Sequence, residues 1–326
     1  MRQWLYSAPM SNNSLAFVFP GQGSQSVGMM SKLADQSAVV RATFDEASTV
    51  LGYDLWQLCQ QGPEEDLNST ERTQPAMLTA GIATWRLWQE RQGAIPAIVT
   101  GHSLGEFTAL VAASAIDFAT CVDLVRFRGK AMQEAVPAGT GAMAALLGLD
   151  DADVESACRE AAQGGGVVEA VNFNSPGQVV IAGDKAAVLR AIEIARTRGA
   201  KRAIELPVSV PSHSSLMKAA GARLGERLAK TEVRAPRIRY VSAVDAQAHD
   251  APDDIRALLV RQLSSPVRWT STVAALAGEG ARQVAECGPG GVLAGLVKRI
   301  TRGGDIQTFA LESPENFASA TSAASA

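Results

Sequence analysis

A serine bounded by glycines is the first chemically suggestive feature of this chain: Gly101-His102-Ser103-Leu104-Gly105 has the pattern G-x-S-x-G. Before it, Ala97 to Val99 is a short apolar run that reads as a buried strand. After it, Leu104 to Ala115 carries apolar residues at helical spacing. Strand, Gly-bounded turn and helix form the setting of a nucleophile elbow, in which a tight turn lifts a serine hydroxyl clear of a sheet. The same turn places the Leu104 N–H at a helix N-terminus, where developing negative charge is stabilised. Five-letter motifs also occur by chance at Gly-rich turns, but the context on both sides favours Ser103 as a nucleophile.

A serine nucleophile needs a base, most often histidine. The chain has three histidines. His102 adjoins Ser103, so its side chain leaves the elbow in another direction. His249 sits in the polar loop A-Q-A-H-D-A-P and is expected to be solvated. His213 follows Val208-Ser209-Val210-Pro211-Ser212, at the junction of an apolar run and a helix. By elimination it is the best general base, with a helix-capping role as the alternative. No acid presents itself as the third member of a Ser-His-Asp set.

Two further polar residues fall on apolar helix faces. Along Phe118 to Val136, stepping 100° per residue, Arg128 lies beside Cys121, Leu124, Met132 and Ala135, opposite Asp123, Arg126, Lys130, Gln133 and Glu134. An arginine there snorkels out, pairs with a protein carboxylate, or awaits an anionic ligand. A bidentate guanidinium–carboxylate pair suits a substrate ending in a free carboxylate. Gln262 continues the inner stripe of Ile255, Leu258 and Leu259, so its amide must find partners indoors. It ties down a loop or orients the base.

The elements that must hold these groups alternate between strand and helix. Leu15 to Phe19 reads as a first buried strand, followed by Pro20-Gly21-Gln22-Gly23-Ser24-Gln25, where two glycines suit either a backbone that approaches something closely or, the reading favoured on this turn alone, a plain turn. Helical stretches follow over 29–51 and 76–92, with an acidic, turn-rich segment over 62–72 between them. From 139 to 206 the rhythm changes to β-α-β-β-α-β: strands over 141–147, 167–173, 178–181 and 202–206, helices over 150–162 and 184–198. That order is a ferredoxin-like unit. Beyond it come a helix beginning near Ser212 to Ser215, a strand over 237–244, a helix over 253–263, a strand over 282–286 and a helix over 292–300. The expectation is an α/β protein with a mainly parallel sheet covered on both faces, residues 14–138 and 207–312, into which 139–206 is inserted as a small α+β subdomain. Residues 1–13 read as an unstructured leader and 313–326 as a Ser- and Ala-rich tail that frays.

Composition narrows the function classes. The 326 residues are 47% apolar and 19% charged, with a net charge of −3, an ordinary globular balance that argues against a nucleic-acid binder. No run approaches a membrane span and no signal peptide is visible, which places the protein in the cytoplasm as an expectation. Cys59, Cys121, Cys158 and Cys287 lie far apart without a C-x-x-C pair, the pattern of reduced thiols rather than of a disulfide framework or zinc site.

Taken together, F-V-F-P-G-Q-G-S-Q (17–25), G-H-S-L-G-E (101–106), R-G-K-A-M-Q (128–133), V-N-F-N-S-P-G-Q-V-V-I-A-G (171–183), V-P-S-H (210–213), R-Q-L (261–263) and G-P-G (288–290) are a specific ordered set. The chain resembles the malonyl-CoA:acyl carrier protein transacylases of type II fatty-acid synthesis, from about residue 15 to about residue 302. The resemblance implies a hydrolase-like α/β core with a ferredoxin-like insert. It implies that Ser103 takes the malonyl group as an ester, that His213 acts as base and then acid, and that Arg128 pairs with the malonyl carboxylate. It further implies an oxyanion hole made of the Gln22 and Leu104 backbone N–H groups, a supporting role for Gln262, and a His213 oriented through neutral acceptors. Malonyl-CoA and acyl carrier protein are the implied partners, with no cofactor, no metal, no nucleic acid and no membrane, and a monomer is expected. Because acyl carrier protein is acidic, Lys201, Arg202, Lys298, Arg299 and Arg302 are candidates for its docking surface. Two departures touch only fine geometry: Val241-Ser242-Ala243-Val244 lacks expected asparagines, and Cys287 replaces an aliphatic residue. The rival readings are the malonyl-transferring subunit of a malonate decarboxylase, a discrete polyketide acyltransferase, an esterase or thioesterase, and a non-enzymatic scaffold.

Overall fold

The computed structural model describes residues 11–208, 210–302, 304 and 306–324. Its strands, in chain order, are β1 (Ser11–Phe19), β2 (Ile95–Gly101), β3 (Gly141–Leu147), β4 (Val168–Ser175), β5 (Gln178–Asp184), β6 (Arg202–Glu205), β7 (Arg239–Val241), β8 (Ala248–His249), β9 (Gln283–Glu286) and β10 (Gln307–Ala310). The larger sheet has the order β10-β9-β1-β2-β7-β8 and is parallel except for β8, which runs antiparallel to β7. Leu15 to Phe19 are buried throughout because helices cover both faces, and so β1 reads as a continuous apolar run.

Neighbouring parallel strands end side by side, with Phe19 paired to Gly101. The Gly-rich turn after β1 and the elbow after β2 are therefore juxtaposed in the crevice beyond the strand ends, where open α/β sheets place their ligands. The fit is close enough to require glycine. A Cβ on Gly105 would lie 1.9 Å from the Phe19 carbonyl oxygen, and one on Gly21 would lie 2.6 Å from that of His102. Gly105→Ala is accordingly expected to destabilise the fold by about 3 kcal/mol or more, since both clashing groups are backbone. A urea midpoint equal to that of the unsubstituted protein would contradict this packing.

The smaller sheet, β4-β5-β3-β6, is antiparallel, with helices Asp151–Gln163 and Lys185–Thr197 packed on one face through Val154, Cys158, Val188 and Ile192. Backbone hydrogen bonds between β4 and Val267 (Phe173 N to Val267 O, 2.9 Å; Val267 N to Val171 O, 2.8 Å) join it to the larger unit.

Several local expectations are revised. The leader expected over 1–13 is overtaken at its end: Ser11 and Asn12 already pair with Ile95 and Pro96 in β1, since the free edge of β2 offers them backbone partners. Residues 1–10 lie outside the described residues. The tail expected to fray forms the helix Pro314–Ala324, because alanine favours helix and Phe317, Ala320 and Ala324 form a buried stripe, Phe317 edge-on to Trp88. Residues 325–326 are not described. The helix expected to begin near Ser212 to Ser215 does so at the far end of that range, opening as a 3-10 turn at Ser215–Met217 that runs into Lys218–Leu228, after a His213 with φ 67°. The strand expected over 237–244 is only Arg239–Val241 long. The helix over 76–92 begins earlier, at Thr70, with Pro75 inside it, and helices Glu64–Asn68 and Trp269–Gly278 and strands β8 and β10 were not anticipated.

Candidate active site

Ser103 has φ 54°, a left-handed conformation that few non-glycine residues adopt and that a nucleophile elbow requires. The turn is held by the His102 N–H, which donates to the Phe19 carbonyl (3.0 Å), and by the Gly105 and Glu106 N–H groups, which donate to His102 and Ser103. Helix Gly105–Ala112 starts directly behind it.

His213 meets this serine from 110 residues away. Its Nε2 lies 2.7 Å from Ser103 Oγ, and its Nδ1 lies 2.8 Å from the Gln262 carbonyl oxygen. That carbonyl only accepts, so Nδ1 carries the proton, and Nε2 is free to accept from the serine hydroxyl. The orienting partner is thus a backbone oxygen and not a carboxylate. The same left-handed backbone that delays the helix aims the ring, so the capping alternative does not apply.

Arg128 is 1% exposed. Its Nη1 donates to Gln74 Oε1 (2.8 Å), and its Nη2 donates to Gln262 Oε1 (2.8 Å) and to Ser103 Oγ (3.2 Å). Its Nε has no partner among the described residues. A buried guanidinium held by neutral acceptors, beside the Ser103 hydroxyl and with no carboxylate among the described residues bonded to it, has the chemistry to take an anion brought from outside. Gln262 serves both neighbours: its carbonyl orients His213, its Oε1 receives Arg128, and its Nε2 donates to Ser103 O (2.9 Å) and Glu106 Oε1 (2.7 Å).

Burial, and next the Arg128 charge, push the His213 pKa down to about 3, against the opposing hydrogen bond to the Gln262 carbonyl. Burial likewise lowers Arg128 to about 10, opposed by attraction to Glu106, which still leaves it charged at neutral pH. The neutral imidazole therefore persists far below the usual histidine range. In the free protein any chemistry at Ser103 that uses His213 as base should show no inflection near pH 6.5, since the base is lost only as pH falls towards about 3. Stability runs the same way: between pH 6.5 and about 3 the unfolded chain binds the proton that folded His213 refuses, so this contribution is present above 6.5 and lost on acidification. Rapid-quench acylation rates against pH test the first statement, and an inflection at 6.5 would refute it.

The N–H groups of Gln22 and Leu104 bond to no protein acceptor among the described residues. Gly21 packs against the His102 carbonyl with its Cβ position 3.7 Å from Ser103 Cβ, which brings the Gln22 backbone beside the elbow.

The other histidines lie elsewhere. His102 Nε2 is 2.9 Å from Asn174 Oδ1, its ring tilted over Trp269, and His249 Nε2 is 3.2 Å from Asp245. Lys201, Arg202, Lys298, Arg299 and Arg302 are all exposed. Leu147 pairs with both Gln178 and Arg202, and Arg299 donates to Gln178 Oε1, so Arg202 and Arg299 share one end of the smaller sheet. That end adjoins Ser175, next to the Asn174 that touches His102.

Gln74 and Glu106 are site residues that sequence reasoning did not single out. Gln74 was hidden by Pro75, which made the helix seem to start later. Its position three, four and seven residues before Met77, Leu78 and Gly81 was the available signal. Glu106 was an acid alone on an otherwise apolar helix.

Against known proteins, residues 16–314 match the model of the acyl transferase domain family. The chain is 56% identical over 305 residues, 94% of its length and 98% of the relative's, to the malonyl CoA-acyl carrier protein transacylase of Escherichia coli (strain K12). It superposes on the crystal structure of a malonyl-CoA:acyl carrier protein transacylase from Xanthomonas oryzae pv. oryzae with a TM-score of 0.94 at 53% identity, covering 96% of this chain and 99% of that one. A malonyl-transacylase solved in complex with its type II polyketide synthase acyl-carrier protein gives a TM-score of 0.93 at 52% identity, with 95% and 99% covered.

Proposed function

We propose, from the premise that this chain belongs to the acyl transferase domain family, that it moves a malonyl group from malonyl-CoA to the phosphopantetheine thiol of an acyl carrier protein through a malonyl-Ser103 ester. The observation that carries the reading is the buried Arg128 Nη2 at 3.2 Å from Ser103 Oγ. An acyl group on that serine bearing a carboxylate one methylene beyond its carbonyl meets a guanidinium that no carboxylate of the described residues occupies.

In the first half-reaction Ser103 Oγ attacks the thioester carbonyl while His213 Nε2 takes its proton. The oxyanion is received by the Gln22 and Leu104 N–H groups, each such donor worth about 10²- to 10³-fold in rate. The C–S bond breaks and the imidazolium returns the proton to the leaving CoA sulfur. In the second half the carrier thiol gives its proton to His213 and attacks the ester, and Ser103 recovers the proton as the ester bond breaks. These groups complete the chemistry without cofactor or metal. No described helix is long and apolar enough to cross a membrane, which suits an enzyme meeting CoA and carrier protein in the cytoplasm.

The basic end of the smaller sheet, with Arg202 and Arg299, lies beside the elbow and suits an acidic carrier delivering its arm into the cleft. The likeness to a polyketide-carrier complex supports a second reading in which the carrier belongs to polyketide synthesis.

Intact-protein mass spectrometry after brief exposure to malonyl-CoA tests the proposal. A malonyl adduct mapped to Ser103, discharged by either carrier in holo form, is expected, and the faster carrier identifies the partner. Absence of an adduct would overturn the enzymatic reading in favour of a scaffold, an adduct from acetyl-CoA alone would indicate another acyl group, and rapid loss to water would indicate a thioesterase.

A further inference from the structure

Behind the reacting groups lies a carboxylate that the mechanism does not use. Glu106 is 1% exposed in the first turn of helix Gly105–Ala112. Its Oε1 accepts from Gln262 Nε2 (2.7 Å), and its Oε2 accepts from the Tyr240 hydroxyl and the Ala243 N–H (3.3 Å). It touches neither Ser103 Oγ nor Arg128 directly.

Its consequence follows from the donor–acceptor inventory. A primary amide fits one cavity in two orientations, with donor and acceptor exchanged, whereas a carboxylate only accepts. With Glu106 on one side, Gln262 must turn its NH₂ towards Glu106 and Ser103 O, which leaves its Oε1 facing Arg128. The reverse orientation would set an amide donor against a guanidinium donor and an amide oxygen against two acceptors. The neutral amide also keeps the carboxylate from occupying the guanidinium, so Arg128 has a nearby opposite charge and still faces the serine unclaimed.

We propose that Glu106 is a positioning residue for acyl selection, acting through the Gln262 amide to hold the Arg128 guanidinium where a carboxylate on the Ser103 acyl group meets it. This deepens the malonyl-transfer reading above and rests on it. A purely structural role would affect all acyl groups alike, whereas this one bears on those that use Arg128.

The test compares acylation of Ser103 by malonyl-CoA and by acetyl-CoA, each as kcat/KM from rapid quench and intact mass. Glu106→Met removes the acceptor while keeping the stem. It should lower malonyl acylation about 10- to 100-fold, and acetyl acylation much less. Glu106→Gln keeps an acceptor oxygen for Gln262 and should recover most of that loss. Equal losses on both substrates, or a Gln variant as poor as the Met variant, would overturn the proposal. If Glu106→Met does not fold, Tyr240→Phe deletes only the hydroxyl that braces Glu106. The malonyl-to-acetyl ratio should then fall about threefold, and an unchanged ratio would overturn the proposal. Failure of the unsubstituted protein to form any malonyl-Ser103 would refute the underlying function and is read separately.

Discussion

Arg128→Ala should lower the efficiency of malonyl transfer about 10²- to 10⁴-fold while changing acetyl transfer far less, so that the preference for malonyl collapses. The size follows from leaving one member of a buried charge pair alone, about 3–5 kcal/mol, at 1.36 kcal/mol per decade of rate. Here the unpaired member is the malonyl carboxylate, held in a site from which its counter-charge has gone. Acetyl has no such group, so it loses only the 3.2 Å hydrogen bond from Nη2 to Ser103 Oγ. A second consequence concerns the base. The Arg128 charge is the second cause holding the His213 pKa down, after burial. In the proposed mechanism a bound malonyl carboxylate would offset that charge and make the imidazole more basic when it takes the serine proton. The substitution removes the same charge permanently, so the acid limb of acetyl acylation should move to higher pH in the variant. Competition between malonyl-CoA and acetyl-CoA, scored by adduct mass, reads the selectivity, and a variant that keeps its malonyl preference would refute the role given to Arg128.

His213→Asn should lower the rate of Ser103 acylation by about 10²- to 10⁴-fold, the range for loss of a positioned general base. Asparagine is the informative replacement because position 213 has φ 67°, which Asn tolerates and alanine does not without strain. The fold should survive, and the residual rate should come from the oxyanion donors and substrate binding. Loss should appear in both half-reactions, because the proposed mechanism has the same imidazole handle the proton when the carrier thiol attacks. Single-turnover acylation and deacylation, followed separately, provide the measurement. A rate within tenfold of the unsubstituted protein would remove His213 from the chemistry.

Much of this was legible in the residues because its signals are local. The period of apolar residues and the glycines around Ser103 depend only on near neighbours, and they located the elbow and its helix. The β-α-β-β-α-β order similarly announced an antiparallel sheet distinct from the parallel one. At residues 11–13 and 314–324 the chain is more ordered than its low apolar content predicts. In fact Phe317, Ala320 and Ala324 suffice to seat a helix on Trp88, and Ser11 and Asn12 need only an unpaired strand edge.

By itself, then, the chain determined which residue types could react and on which elements they stand: Ser103 at a strand–helix turn, Arg128 and Gln262 on inward helix faces, and His213 at a junction. Only the tertiary structure decided how they are joined. Ser103 and His213 are 110 residues apart and Ser103 and Gln262 are 159, and nothing in a one-dimensional pattern encodes which of several inward polar groups will meet. The partner of His213 Nδ1 is a backbone carbonyl, a group every residue carries and that leaves no mark in side-chain type. The neutrality of Arg128's partners, with Glu106 one amide removed, depends on packing four helices against one another, where burial makes each hydrogen-bonding group count.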